Sequence, residues 1–97
     1  MKKITFNKRN IDGTLEKAEG YAFESDGLKF AISRSGVGYW KVTELSSGAV
    51  FLCGVKNGSR KTAIKDTKAR IEKYGITDCK RRIANCINKH SKTGDAN

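Results

Sequence analysis

The dipeptide Asp26-Gly27 constrains the fold more than any other feature of this chain. Asp-Gly between alternating residues is typical of a two-residue β-hairpin turn, because both central positions of that turn need a positive φ. The turn also sets the register of its two strands, since the side-chain period of a strand is two. The predicted cross-strand pairs are Phe23 with Phe30, Tyr21 with Ile32, Ala22 with Ala31, and Glu24 with Lys29. The first two pairs share one face, which predicts a hairpin half-buried against a core.

Segments with strand-like patterns on both sides of this hairpin predict further strands. Residues 1–7, and within them residues 3–6, indicate a short edge strand before a polar loop at 7–13, and residues 14–24 lead into the hairpin. After the turn Ser35-Gly36-Val37-Gly38, residues 39–45 and 49–55 predict two more strands, joined by a three-residue loop that ends in Gly48.

The loop at Gly48 also implies a register for the last two strands, with Val42 opposite Leu52 and Thr43 opposite Phe51. In that register Trp40, Val42 and Leu52 face the helices, whereas Tyr39 and Phe51 point to the other side of the sheet. A shift by one residue reverses every one of these faces, and the sequence leaves that alternative open.

Residues 59–75 predict an amphipathic helix with both ends marked. Ser59 is a suitable N-cap, and Gly75 suits the left-handed position after the last turn. The apolar stripe that would pack on the sheet consists of Ala63, Ile64, Thr67, Ile71 and Tyr74.

Residues 76–90 predict a second helix, in which Thr77 is the N-cap and Asp78 complements the helix dipole. Its apolar stripe consists of Cys79, Ile83, Cys86, Ile87 and His90. The whole pattern predicts an α+β fold: an antiparallel meander of four strands, or five with residues 3–6, followed by two helices packed on the sheet. The prediction is a single domain over residues 1–90 and a disordered tail over residues 91–97.

The net charge of +10 is concentrated in the helical part of the chain. Residues 1–55 carry +2, from eight Lys/Arg and six Asp/Glu, whereas residues 56–97 carry +8, from twelve and four. A concentrated excess attracts polyanions, although a solvated helical surface is the ordinary alternative. The predicted partner-binding residues on the helices are Arg60, Lys61, Lys65, Lys68, Arg70, Lys73, Lys80, Arg81 and Arg82.

A second candidate surface is the face of the sheet that points away from the helices. Tyr39 and Phe51 lie there in the predicted register, between Lys29 and Lys41, and aromatic rings between lysines can stack on bases. The alternative is that these aromatic residues pack under the N-terminal segment.

The sequence offers little for catalysis, a metal or a cofactor, so we expect no enzyme and no cofactor. His90 is the single histidine, and Cys86 lies four residues before it with no third group to orient the pair. Cys53, Cys79, Cys86 and His90 have a composition that zinc accepts, but their spacing differs from that of structural zinc sites. Buried core cysteines are the favoured interpretation, and an odd number of cysteines argues against a disulfide framework.

The strand-and-helix run Gly38-Tyr39-Trp40, Phe51, Ser59-Arg60-Lys61-Thr62-Ala63-Ile64 and Ile71-Glu72-Lys73-Tyr74-Gly75 resembles the arm-binding domains of phage and transposon integrases. That resemblance covers less than half of the chain and implies a sheet that enters a DNA groove. In size and basicity the chain is similar to small phage-encoded host-takeover proteins, including anti-CRISPR proteins. This similarity is one of type and carries over no functional residue.

Two functional hypotheses follow, and an enzyme or metal protein that uses Cys86 and His90 is a third. In the first, the chain is a cytoplasmic, non-enzymatic binding protein that docks its basic helices on nucleic acid or on a nucleoprotein such as a CRISPR–Cas effector, and so inhibits a host defence nuclease. In the second, it is a DNA-binding domain that uses its three-stranded sheet. Neither hypothesis involves a small-molecule substrate. Neither involves a membrane, because no run of apolar residues approaches the roughly 18 that a membrane span needs. The oligomeric state is not indicated.

Overall fold

Five antiparallel strands in sequence order, followed by two helices, make up the protein in the computed structural model, which confirms the predicted α+β meander. The elements are β1 (Lys2–Arg9), β2 (Leu15–Ser25), β3 (Leu28–Arg34), β4 (Trp40–Glu44), β5 (Val50–Val55), α1 (Arg60–Tyr74) and α2 (Ile76–Asp95). The structure describes residues 2–34, 39–55 and 60–95, without the side chains of 53–55 and 90–95. The predicted turn at 35–38 and the predicted N-cap Ser59 lie outside the described residues.

The β2–β3 hairpin has the predicted register, with Phe23 opposite Phe30 and Tyr21 opposite Ile32. Asp26 and Gly27 both have a positive φ, 54° and 80°, as this turn requires. The rings of Phe23 and Phe30 are stacked with their centroids 5.1 Å apart. Turn chemistry and side-chain pairing therefore specify the same hairpin.

We expect Gly27→Val to lower the melting temperature. The added Cβ meets nothing within 4 Å, so the effect isolates the cost of a β-branched residue at a φ of 80°, about 2 kcal/mol. Gly27→Asn is the control, because asparagine tolerates the left-handed region and should cost much less. Thermal unfolding followed by circular dichroism measures both, and equal melting temperatures for the two variants would contradict the predicted strain.

The N-terminal hairpin curls across the face of the sheet that lies away from the helices. β1 pairs with β2 along its whole length, so it is longer than the predicted edge strand, and the polar loop shrinks to residues 10–14. Although β1 and β5 are at opposite edges, the Arg9 N–H donates to the Gly48 carbonyl, just before β5, at 2.7 Å. Phe6, Ala31 and Thr43 are buried on this face. The sheet is thus coiled around a second, small core.

Two irregularities shift the register between β4 and β5, one between Trp40 and Lys41 and one, a β-bulge, between Val42 and Thr43. Val42 pairs with Leu52 as predicted, but Thr43 pairs with Val50 instead of Phe51. The extra residue interrupts the alternation of side chains, so that Phe51 and Leu52 both pack against the main core. The prediction that Phe51 points away from the helices is therefore wrong: its ring centroid lies 5.0 Å from that of Phe30.

Helix α1 buries the predicted stripe, with Ala63, Thr67 and Ile71 inaccessible to solvent or nearly so. It ends as predicted at Gly75, which has a φ of 84° and donates its N–H to the Ile71 carbonyl at 2.7 Å. Tyr74, at the end of the stripe, remains 39% exposed. The last turn of α1 therefore presents an aromatic ring at the surface.

Helix α2 follows after a single residue. It begins at Ile76, so Thr77 lies within the first turn and the prediction of Thr77 as N-cap is wrong. The Cys79 N–H donates to the Gly75 carbonyl at 3.1 Å, so Gly75 ends one helix and starts the next. Burial falls along α2, from Cys79 at 4% exposure to Ile87 at 37%. The helix continues through Asp95, into the segment 91–97 predicted as a tail, of which residues 96 and 97 lie outside the described part.

Candidate nucleic-acid interface

Three of the predicted cations form one exposed row on α1. Lys61, Lys65 and Lys68, which we call the lysine flank, are exposed and line a shallow groove with Ile64. Within the described residues, no carboxylate lies within 4 Å of any of the three ammonium groups. The lysine flank is therefore not neutralised by ion pairs there.

Carboxylates border one end of the lysine flank. Lys68 lines a second groove together with Glu24, Asp26 and Glu72, beside the tip of the β2–β3 hairpin. These negative charges lower the local potential at Lys68. The positive field is therefore strongest toward Lys61 and Lys65.

The other predicted cations near the C-terminus of α1 lie around the ring of Tyr74. The charged heads of Arg70, Lys73 and Arg82 lie 5.3, 5.5 and 5.2 Å from the centroid of the Tyr74 ring. At 3.6 residues per turn, Arg70 lies across the buried stripe from Lys68, whereas Lys73 lies on the exposed side of the helix between Lys65 and Arg70. These cations are a second group within the predicted basic surface, and we call Tyr74 with Arg70, Lys73 and Arg82 the Tyr74 cluster.

Asp78 holds two arginines at the start of α2. Arg82 Nε lies 3.1 Å from one carboxylate oxygen, and Arg81 contacts the other. The hydrogen bond from Arg81, together with the positive charges of Arg82 and Arg81, holds the pKa of Asp78 below its usual value. Arg81 and Arg82 are therefore partly neutralised, whereas Lys80 is exposed on the same helix.

Arg60 contacts the sheet. Its guanidinium lies 4.2 Å from the centroid of the Tyr21 ring, at the separation of a cation–π contact, and its side chain is only partly exposed. Arg60 therefore anchors the start of α1 on the sheet, and it is the least available of the predicted binding residues on that helix.

Tyr39 and Lys41 are at the margin of the sheet face that the alternative hypothesis uses. Both side chains are partly buried. At the centre of the same face Ala31 is 0% exposed and Thr43 is 1% exposed, and the end of β1 reaches across to Gly48. This face offers less open surface to a DNA groove than a bare three-stranded sheet would.

Cys79 belongs to the main core. Burial raises the pKa of its thiol, which opposes formation of the thiolate that a nucleophile or a metal ligand needs. Cys86 is partly buried, and the side chains of Cys53 and His90 lie outside the described residues. Among the residues whose side chains are described, no group of three or more Cys, His, Asp or Glu is placed to hold a metal ion.

Glu44 is a buried group that the sequence did not single out. It is 3% exposed, and its carboxylate accepts hydrogen bonds of 2.7–2.9 Å from the Ser46 N–H and hydroxyl and from the Ser47 N–H. The Glu-x-Ser-Ser spacing is the signal for such a carboxylate-capped turn. Glu44 fixes the corner between β4 and β5, which forms one wall beside the Tyr74 cluster.

A scan against protein-family models finds no match, and searches of curated proteins and of solved structures find none either. Neither helix, over the described residues, is both long and apolar enough to cross a membrane.

Proposed function

We propose that this protein is a non-enzymatic binding module that docks on the phosphate backbone of nucleic acid through the lysine flank. The observation that supports it best is the row of three exposed lysines that form no ion pair with a described carboxylate, on a helix whose other side is buried. Lysines in this arrangement bind phosphates by releasing condensed counterions, without reading the base sequence.

The geometry of the row suits a backbone. Lys61 and Lys68 are seven positions apart, which is roughly 10 Å along a helix axis. The row is therefore long enough to contact more than one phosphate of a nucleic-acid backbone.

The same surface suits nucleic acid that is part of a nucleoprotein, such as the RNA-lined groove of a CRISPR effector. Docking there would inhibit a host defence nuclease by occupying the groove, and it would take place in the cytoplasm of the host. The sheet-based alternative has less support, because the middle of the outer face is buried.

We expect the charge reversal Lys61→Glu, Lys65→Glu and Lys68→Glu to weaken binding to a random-sequence duplex and to spare the fold. Each phosphate contact contributes about 0.9 to the slope of log K against log salt, so the slope should fall by roughly three units. Fluorescence anisotropy at several salt concentrations gives the slope, and a melting curve reports on the fold.

The matched control reverses three exposed lysines on β1 and β2, Lys2, Lys3 and Lys17, and lowers the net charge by the same amount. A loss specific to the lysine flank would appear only in the α1 variant. If both variants lost affinity equally, binding would depend on net charge alone and the proposed surface would be refuted. A wild-type protein that binds no nucleic acid would refute the function itself.

A further inference from the structure

A cleft opens beside the Tyr74 cluster, between the β4–β5 corner and the two helices. It has a volume of about 160 Å³, and its apolar lining includes Phe51, Ile83 and Cys86. Arg70, Tyr74 and Arg82 also line it. The cleft therefore combines an apolar interior with positively charged groups.

Exposed apolar side chains continue the cleft at the surface. Val50, which lines it, is 44% exposed, and Tyr74 is 39% exposed. Ile87, one helical turn beyond Ile83 on α2, is 37% exposed. Large apolar side chains that are exposed together on a small domain mark a binding site. Their grouping at the cleft therefore favours an occupant with an apolar or aromatic body.

The charge at the cleft indicates that the occupant is also anionic. Arg70 lies over the rings of Phe51 and Tyr74, at 6.0 and 5.3 Å, and no carboxylate of the described residues lies within 4 Å of its guanidinium. The carboxylate of Glu44, the acidic residue of the lining, is already satisfied by Ser46 and Ser47. The donors of Arg70 are therefore free to bind an anion from outside.

We propose that this cleft takes an unpaired base of a single-stranded nucleic acid, with Tyr74 and Phe51 against the base and Arg70 and Lys73 on the adjoining phosphates. The inference rests on the proposed function and deepens it, because it names the substrate class. An aromatic platform beside a positively charged groove is the arrangement that binds single strands with little sequence preference. A base within a duplex is stacked and paired, so it cannot enter the cleft.

The test compares two labelled 15-mers by fluorescence anisotropy: oligothymidylate, and an oligonucleotide of the same length made of abasic sites. The phosphates are the same, so the difference in affinity reports the base. We expect the wild type to bind oligothymidylate about tenfold more tightly. Tyr74→Ala should abolish that difference, whereas Tyr74→Phe should preserve it.

The lysine flank lies on the other side of α1, so the two proposals fail separately. Equal affinity of the wild type for both strands would overturn the base-binding cleft and leave backbone binding intact. This comparison needs no variant, so it stands even if Tyr74→Ala is unstable. Binding of neither strand would also overturn the base-binding cleft, and the duplex measurement then decides the proposed function by itself. Tyr74-dependent binding of the peptide Glu-Glu-Phe-Glu-Glu instead of either strand would also overturn the nucleic-acid proposal, in favour of an acidic protein segment.

Discussion

Gly20→Ala should destabilise the protein by about 3 kcal/mol, because the interior of the coiled sheet has no room for a methyl group. A Cβ at Gly20 would lie 2.5 Å from the Ile32 carbonyl oxygen and 3.1 Å from Cε1 of Phe6. The nearer atom is backbone of the paired strand β3, so it cannot move without disturbing the β2–β3 pairing. Urea unfolding followed by fluorescence of the single tryptophan measures the loss.

Gly75→Ala is the matched control for this substitution. Gly75 has a φ of 84° and nothing within 4 Å of an added Cβ, so the change adds backbone strain without a clash. It should cost only about 1 kcal/mol. If Gly20→Ala cost no more than Gly75→Ala, β2 would be free to move away from β3, and the tight coiling of the sheet would be refuted.

The sequence predicts the local parts of this fold well. Asp26-Gly27 determines a turn of one type, and that turn carries the register of β2 and β3 with it. The stripe of α1 and its end at Gly75 likewise depend on neighbours a few positions away. Local signals of this kind predict the structure correctly because the tertiary contacts favour the same local conformation.

Apart from the N-cap of α2, which is misplaced locally at Thr77, the errors arise where a distant contact decides the structure. The bulge at Phe51 depends on packing against Phe30, twenty-one positions earlier, and no turn residue marks it. The closure of the N-terminal hairpin depends on the hydrogen bond from Arg9 to Gly48 across the sheet. The alternation of side chains within one strand carries no information on either long-range contact, so it predicts the wrong face for Phe51.

The candidate site likewise has one part that the sequence predicts and one part that it does not. The lysine flank follows from the spacing of Lys61, Lys65 and Lys68 on one helix, so the sequence is sufficient to predict the row. The Tyr74 cluster joins Arg70 on α1 to Arg82 on α2 across a single residue, Gly75. Only the angle between the helices brings these side chains together, and the sequence does not specify that angle.

Phe30→Ala should be the most destabilising single substitution in the main core, with a loss of about 4 kcal/mol. Phe30 is 0% exposed, and its ring lies 5.1 Å from that of Phe23 and 5.0 Å from that of Phe51. It therefore joins the β2–β3 hairpin to the bulged strand β5. A domain of this length has a total stability of about 5–15 kcal/mol, so the loss removes a large part of it and should be evident in urea unfolding.

A double-mutant cycle with Phe51→Ala tests the contact that the bulge creates. Two rings at this separation should couple by about 1 kcal/mol beyond the separate losses of buried area. Phe30→Leu in the same cycle keeps most of the buried volume and removes the ring, so it should retain most of the stability and little of the coupling. Strictly additive effects of Phe30→Ala and Phe51→Ala would show that the rings do not pack together. Phe51 would then face away from the helices as the uninterrupted strand pattern predicts, and the wall that it supplies to the base-binding cleft would be lost.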